Sequence, residues 1–457
     1  MKIKALNRSN ATTQRSNIGD LRLQHQNLNP THHPHRRARE YTRAVTSAKL
    51  DRMFAKPFLA SLGQGHRDSV SCAATSRTNL VPFVSGGVDG AVRIWDLQTR
   101  SMVADIPTAH AGIVSGIVLQ SNDETFLSCG YDGKIRQWRL FPSSEDKENP
   151  CGPTNMWSSQ HGPFKAIDHH WTLKDQFATA SDGSVDIWSS ERSDPIQSYL
   201  PGKLGWGDDS VIHLRYNPAE PNLLAFCSAD RGIGLQDVRA GTALRKTVLQ
   251  MKCNALEWNP MEPMNFVVGN EDHNCYSFDM RNLSKATCIH RGHTSAVLSV
   301  SWSPTGREFV SGSYDRTIRI FGWNSQKSRD VYHLKRMQRV FTVNYSADHR
   351  YIISGSDDTN LRLWKARASE TLGQLRPREE KALEYRQSLI AKYKHMPEVG
   401  RIHRSRKIPK LIQKQARIAH IQKESRERKL QNRIDHSKPG SIEVLPAKKQ
   451  AVVKEVV

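Results

Sequence analysis

The stretch "SGSYDRTIRIF", Ser311 to Phe321, places Asp315 six residues before the aromatic that closes a short β-branched run. "SCGYDGKIRQW", Ser128 to Trp138, says nearly the same with Asp132 and Trp138. Aligned on this unit, the aromatic or its equivalent falls at Trp95, Trp138, Trp188, Gln236, Phe278, Phe321 and Trp364. The intervals are 43, 50, 48, 42, 43 and 43 residues. Six residues before each stands an aspartate: Asp89, Asp132, Asp182, Asp230, Asp272, Asp315 and Asp358. Seven aspartates in register are not an accident of composition.

A period near 43 is the signature of four-stranded blades arranged in a ring. "AVRIW", "TIRIF" and "NLRLW" alternate, with apolar residues one and three before the aromatic. "VDG" and "YDG" just ahead are hairpin turns, because Asp and Gly tolerate positive φ. The expected fold is all-β: a seven-bladed propeller over residues 57–366. A basic N-terminal arm, residues 1–56, and a basic, mostly helical extension, residues 367–457, flank it. A ring needs closing, because an open blade exposes a sheet edge. "PFLASL", Pro57 to Leu62, is short and apolar enough to be the strand that completes the last blade.

Ser85, Ser128, Ser311 and Ser354 lie ten residues before their aromatics. His66, His110 and His293 lie 28 or 29 residues before theirs, in "GHRDSV", "AHAGIV" and "GHTSAV". This resembles the WD-repeat family, in which His, Ser, Asp and Trp form a hydrogen-bonded set within one blade. The resemblance gives His66, Ser85, Asp89 and Trp95, then His110, Ser128, Asp132 and Trp138, then His293, Ser311, Asp315 and Phe321 a structural role. A hydrolase reading of His–Ser–Asp fails on context: the set recurs, the serine sits on a strand, and no nucleophile-elbow glycines surround it.

The repeats are uneven. The third offers His161 and lacks the usual serine, and the fourth has Gln236 for its aromatic and Asp208 near the histidine slot. The fifth reads "NEDHNCYSF", without an equivalent histidine. Two polar insertions, Phe141 to Trp157 and Leu200 to Ser210, read as surface loops.

Charge is segregated. Of a net +22, residues 1–56 carry +9 and residues 365–457 carry +14, leaving the middle at −1. Basic flanks on a neutral domain point to an acidic partner. The seven cysteines form no C-x-x-C pair, which suits reduced thiols packed as small apolar residues. No apolar run of 18 residues exists, so no membrane helix is expected, and "MKIKALNRSN" lacks a secretory h-region. No phosphate loop, H-E-x-x-H or C-x-x-C motif is present, and "HRGH" (His290 to His293) and "DHH" (Asp168 to His170) read as turn and blade residues. Neither metal, cofactor nor small-molecule substrate is expected, and catalysis is not.

Repeat four ends "LQDVR" and repeat five "SFDMR", each with an arginine two residues after the aspartate: Asp237/Arg239 and Asp279/Arg281. This resembles the tandem W-D-x-R box of substrate receptors for cullin-4 ubiquitin ligases, whose arginines engage the adaptor subunit. After Trp364 the alternation stops. Ala382, Tyr385, Leu389 and Tyr393 give one apolar helical face, and Pro377 with Glu379 and Glu380 suits its start. Lys410 to Ile434 reads as a long basic helix, stopped by "HSKPGS". Arg401, Arg404, Arg406, Lys407 and Lys410 form the densest basic cluster, a candidate RNA contact or nuclear-import signal.

The flanks "REYTRAVTSAKLDRMFAKPFLASL" and "RIHRSRKIPKLI" to "NRIDHSKPGS", with the repeats between, are similar to the Sof-like WD-repeat proteins of the nucleolar small-subunit processome. Vertebrate members are also described as cullin-4-associated factors. The resemblance implies a nucleolar scaffold for maturation of small-subunit rRNA. Its implied partners are pre-rRNA, processome proteins, a small nucleolar ribonucleoprotein and the cullin-4 ligase adaptor, with no membrane.

Overall fold

The computed structural model describes residues 6, 29–141, 152–158, 161–200, 210–240, 243–438, 440–442 and 444–456. They form two compact units. Leu59–Ala366 belongs with Ile408–Val457, and the described part of Met1–Phe58 belongs with Arg367–Lys407.

The larger unit is a seven-bladed propeller of antiparallel sheets. The first blade runs Val70–Thr75, Pro82–Gly87, Val92–Asp96 and Ser101–Ile106, from the inner to the outer strand. Middle strands are buried on both faces, because each blade is packed between two others. Val84, Val92 and Ile94 meet Val114, Ile117, Phe126 and Trp138 of the next blade. Cys129, Cys227, Cys253 and Cys275 are buried in this core as small apolar residues.

Every inner strand carries a bulge at its second residue, as at Val70/Cys72 and Val114/Gly116. The bulge turns that residue toward the neighbouring blade. Ser71 donates to the Val114 carbonyl at 2.5 Å, Ser115 to Phe164 at 2.7 Å and Asn254 to Val297 at 3.0 Å. Polar side chains thus stitch blades together where the strands crowd the axis. Asn344 donates to the Ala73 carbonyl at 2.7 Å and joins the last blade to the first. Phe58–Leu62 is the outer strand of the last blade, beside Leu361–Lys365. The ring is therefore closed by non-consecutive chain segments.

Two elements differ from the sequence reading. Asn155–Ser158, assigned mostly to a loop, is the outer strand of the second blade. Trp157 is buried there, with its ring 5.2 Å from Phe177, and that contact fixes the strand. Residues 142–151 of that insertion, and residues 201–209 with Asp208, lie outside the described residues. At the other end, Val452–Val456 is a strand rather than helix or tail. It pairs antiparallel with Ala243–Leu249 as a fifth strand of blade four, while Ala451 and Val452 join the core between blades four and five. Helix α4, Lys410–Asp435, precedes it and is exposed along nearly its whole length.

The smaller unit packs three helices: α1, Arg36–Met53; α2, Pro377–Tyr393; and α3, Pro397–Arg404. Ala44, Ala48, Leu389 and Val399 form its centre, with Tyr385 and Tyr393 of the expected apolar face against it. The buried Glu40 carboxylate is paired with Lys392 at 2.6 Å, and Tyr41 donates to Glu398 at 3.0 Å. Pro377 opens α2, with Glu379 and Glu380 in its positive first turn.

Candidate functional site

The repeated polar residues meet inside the blades. His110 Nε2 lies 2.8 Å from Ser128 Oγ, its Nδ1 lies 3.0 Å from Asp132, and Trp138 Nε1 donates to Ser128 at 2.8 Å. His293 repeats this with Ser311 at 2.7 Å and Asp315 at 3.0 Å, and Phe321 packs beside its ring. His66 lies 2.7 Å from Ser85, which accepts from Trp95 at 2.8 Å, but Asp89 is 3.7 Å from the ring. Burial lowers the pKa of all three imidazoles, that of His66 to about 4. Burial alone would raise Asp315, but its contacts with His293 and the Thr317 hydroxyl hold it well below the ordinary carboxylate range. Ser85, Ser128 and Ser311 are each fully buried and already bonded to a ring nitrogen, so none of the three faces solvent as a nucleophile.

The weak repeats contain substitutes. Thr179 takes the serine's place in blade three, accepting from Trp188 at 2.8 Å. In blade five Ser277 bonds His290 of the outer strand at 2.7 Å. In blade four Gln236 is buried, and its amide donates to the Asp237 and Ala240 carbonyls at 3.0 and 2.9 Å. That holds the following turn closed. His169 and His170 bond backbone atoms of their own turn. Among the described residues no group of three or more His, Cys, Asp or Glu is placed to hold a metal ion.

Strands in a meander turn alternately at opposite ends, so the turns after the first and third strands share one face. Asp237/Arg239 and Asp279/Arg281 occupy such third-strand turns of adjacent blades. Asp237 accepts from the Arg239 amide at 2.9 Å and Asp279 from the Arg281 amide at 3.0 Å. Each aspartate shapes its turn and leaves an exposed arginine at the tip. Arg245, on the outer strand of blade four, donates to the Arg281 carbonyl and so ties that strand to the Arg281 turn of blade five.

The basic cluster divides. Arg401 and Arg404 lie on α3, with Arg406 and Lys407 just after it, in the helical unit. Lys410 opens α4 in the other. Arg401, Arg404, Lys407 and Lys410 are exposed, whereas Arg406 is half-buried and donates to the His403 carbonyl at 2.8 Å.

Sequence motifs did not reveal the axial channel. A cavity of about 260 Å³ is lined by residues of all seven inner strands and the turns after them. Asp168, almost fully buried there, accepts from the Tyr216 amide at 2.8 Å and from Arg215 at 3.0 Å. Arg77 lies 3.7 Å over the Trp171 ring. Desolvation in this channel pushes the Glu257 carboxyl up to about 7 against the pull of Arg215. These charges come from four different blades and share no local motif.

Residues 366–452 match the Sof1-like domain, and residues 57–96, 103–139, 285–322 and 330–365 match the WD domain, G-beta repeat. The chain is 45% identical to DDB1- and CUL4-associated factor 13 of Danio rerio and 45% identical to that of Homo sapiens, over the whole of each chain. It is 38% identical to Protein SOF1 of Saccharomyces cerevisiae, across 94% of this chain and 91% of that one. With seven WD-type blades, a Sof1-like C-terminal region and full-length similarity to these proteins, the chain belongs to the Sof1-like WD-repeat family.

Proposed function

We propose that this protein is a non-catalytic scaffold in small ribosomal subunit biogenesis. It binds pre-rRNA, processome proteins and a small nucleolar ribonucleoprotein in the nucleolus. The observation that carries the reading is the Sof1-like region, because WD blades alone serve many functions. Segregated positive charge supports it, since phosphate contacts need Lys and Arg. Arg401, Arg404, Arg406, Lys407 and Lys410 are the proposed RNA contacts.

The test is crosslinking of the full chain to RNA in cells. It should be compared with R401Q/R404Q/K407Q/K410Q, which alters only exposed side chains. Truncation at Ala366 is a poorer control, because it removes Leu389 and Val399 from the helical core and Val452–Val456 from blade four. Small-subunit precursor rRNA should be enriched by the unaltered chain and fall sharply in the variant. No enrichment in either would remove the RNA reading.

A second reading coexists: a substrate receptor of a cullin-4 RING ubiquitin ligase. The two matched aspartate–arginine turns favour it, as do the DDB1 and CUL4 association in the vertebrate relatives' names. In this reading Arg239 and Arg281 grip the adaptor, and Asp237 and Asp279 set their turns. A guanidinium suits such a contact because its fork matches carboxylates and carbonyls.

A further inference from the structure

We propose that the groove between α1 and α2 is a second RNA site, built for a single strand and separate from the Arg401–Lys410 cluster. It rests on the RNA reading above and adds where and how a strand is held.

The groove has a volume of about 600 Å³. Four arginines line it, Arg43 from α1 and Arg376, Arg378 and Arg386 around α2. The one carboxylate among its lining residues, Glu379, accepts from the Arg376 amide at 3.3 Å. Planar guanidinium forks placed along a groove match successive phosphates of a backbone.

The floor is of different chemistry. The half-buried Leu50, Ala382 and Tyr385 supply apolar and aromatic surface. A charged rim over such a floor suits an unpaired strand, whose bases can leave solvent and stack. Duplex RNA would present only backbone to this floor.

Two hydroxyls make the case for ribose. Thr42 Oγ1 donates to the Arg39 carbonyl and Thr46 Oγ1 to the Thr42 carbonyl, both at 2.9 Å. Their hydrogens are spent on the helix, so each oxygen offers lone pairs. A ribose 2′-hydroxyl can donate to such an acceptor, whereas deoxyribose and a phosphorylated side chain have no equivalent donor.

The probe is a short fluorescein-labelled oligouridylate, titrated by anisotropy with the full-length protein over a series of salt concentrations. R43Q/R376Q/R386Q should weaken binding by about tenfold or more at low salt and reduce the salt slope by about 2, as expected for three lost phosphates on a single strand. R43K/R376K/R386K should keep the slope, and the oligodeoxyuridylate should bind more weakly than its ribose counterpart. Ultraviolet crosslinking of the unaltered complex should mark Tyr385.

Unchanged affinity and slope in the glutamine variant, with loss in R401Q/R404Q/K407Q/K410Q, would overturn the groove and leave the broader RNA reading standing. No oligouridylate binding by the unaltered chain would overturn both. Equal binding of the deoxy strand would overturn the ribose recognition. Displacement by a phosphoserine peptide at lower concentration than by unlabelled oligouridylate would assign the groove to a phosphorylated protein instead.

Discussion

Trp188 Nε1 donates to Thr179 Oγ1 at 2.8 Å, the same length at which Trp95, Trp138 and Trp364 bond Ser85, Ser128 and Ser354. The register explains the equivalence. Phe83 pairs with Trp95 and Ser85 lies two residues on, while Phe177 pairs with Trp188 and Thr179 lies two residues on. The connecting turn in blade three is one residue shorter, so the hydroxyl stands nine residues before its tryptophan rather than ten. Both side chains are buried, so this indole cannot turn to water for a partner.

Thr179→Val should therefore destabilise the propeller by about 1–3 kcal/mol, the cost of a buried N–H left without an acceptor. Val matches Thr in shape, so no cavity accompanies the loss. Thr179→Ser should stay near wild type. Denaturant midpoints for the two variants check this. Equal midpoints would show that the hydroxyl contributes nothing.

What the sequence made legible follows the range of each interaction. Asp132, Ser128 and Trp138 act within one hairpin, and their fixed spacing exposes them. Thr179 escaped because a spacing rule does not see the register beneath it. The helical unit joins Glu40 to Lys392 and Tyr41 to Glu398 across more than 350 residues, and no local pattern encodes such a pairing. Val452–Val456 has a β-branched pattern, but nothing in those residues names Ala243–Leu249 as its partner. The tandem arginines were visible as a motif, while the bond from Arg245 to the Arg281 carbonyl comes from the packing of blades four and five.

The C-terminal strand should be a structural part of blade four. Gln250 donates from its backbone to the Ala451 carbonyl at 3.0 Å, and Ala286 of blade five donates to Lys448 at 3.0 Å. A chain ending at Pro446 loses these bonds, the buried Ala451 and the cover over Ala243–Leu249. Amide hydrogen exchange should then accelerate at Lys246 and Val248, whose neighbouring edge becomes open, and the truncated chain should self-associate more readily. Unaltered exchange there would mean that the strand is not held in solution.

Arg239 and Arg281 are exposed and leave the core untouched, so replacing them separates binding from folding. R239A/R281A should lose capture of the cullin-4 adaptor by about a hundredfold or more, if both behave as interface anchors. Its thermal midpoint and its RNA crosslinking should not move. Asp237→Ala acts indirectly, by releasing the Arg239 amide at 2.9 Å, and should weaken capture less. Undiminished capture by the double-arginine variant would remove the receptor reading from these turns.

Stability should fall as pH drops from 7 toward 4. Burial lowers His66 and His290 to about 4, from an ordinary value of 6.5. Between those values the unfolded chain takes up protons that the folded chain refuses, so stability rises with pH across the window and is lost on acidification. For His290, fully buried against Phe309 and Phe321, that shift corresponds to on the order of 3 kcal/mol. Glu257 works in the opposite direction. Raised from 4.5 to about 7, it keeps a proton in the fold that the unfolded chain has released, so its contribution grows as pH falls. Glu257→Gln removes that offset and can retain an acceptor for the Trp302 amide, which bonds Glu257 at 2.7 Å. The thermal midpoint of the wild type should decline between pH 7 and 4.5, and that of E257Q should decline more steeply. Parallel profiles would show that Glu257 is ionised in the fold, and a flat wild-type profile would show that the buried histidines accept their protons without unfolding.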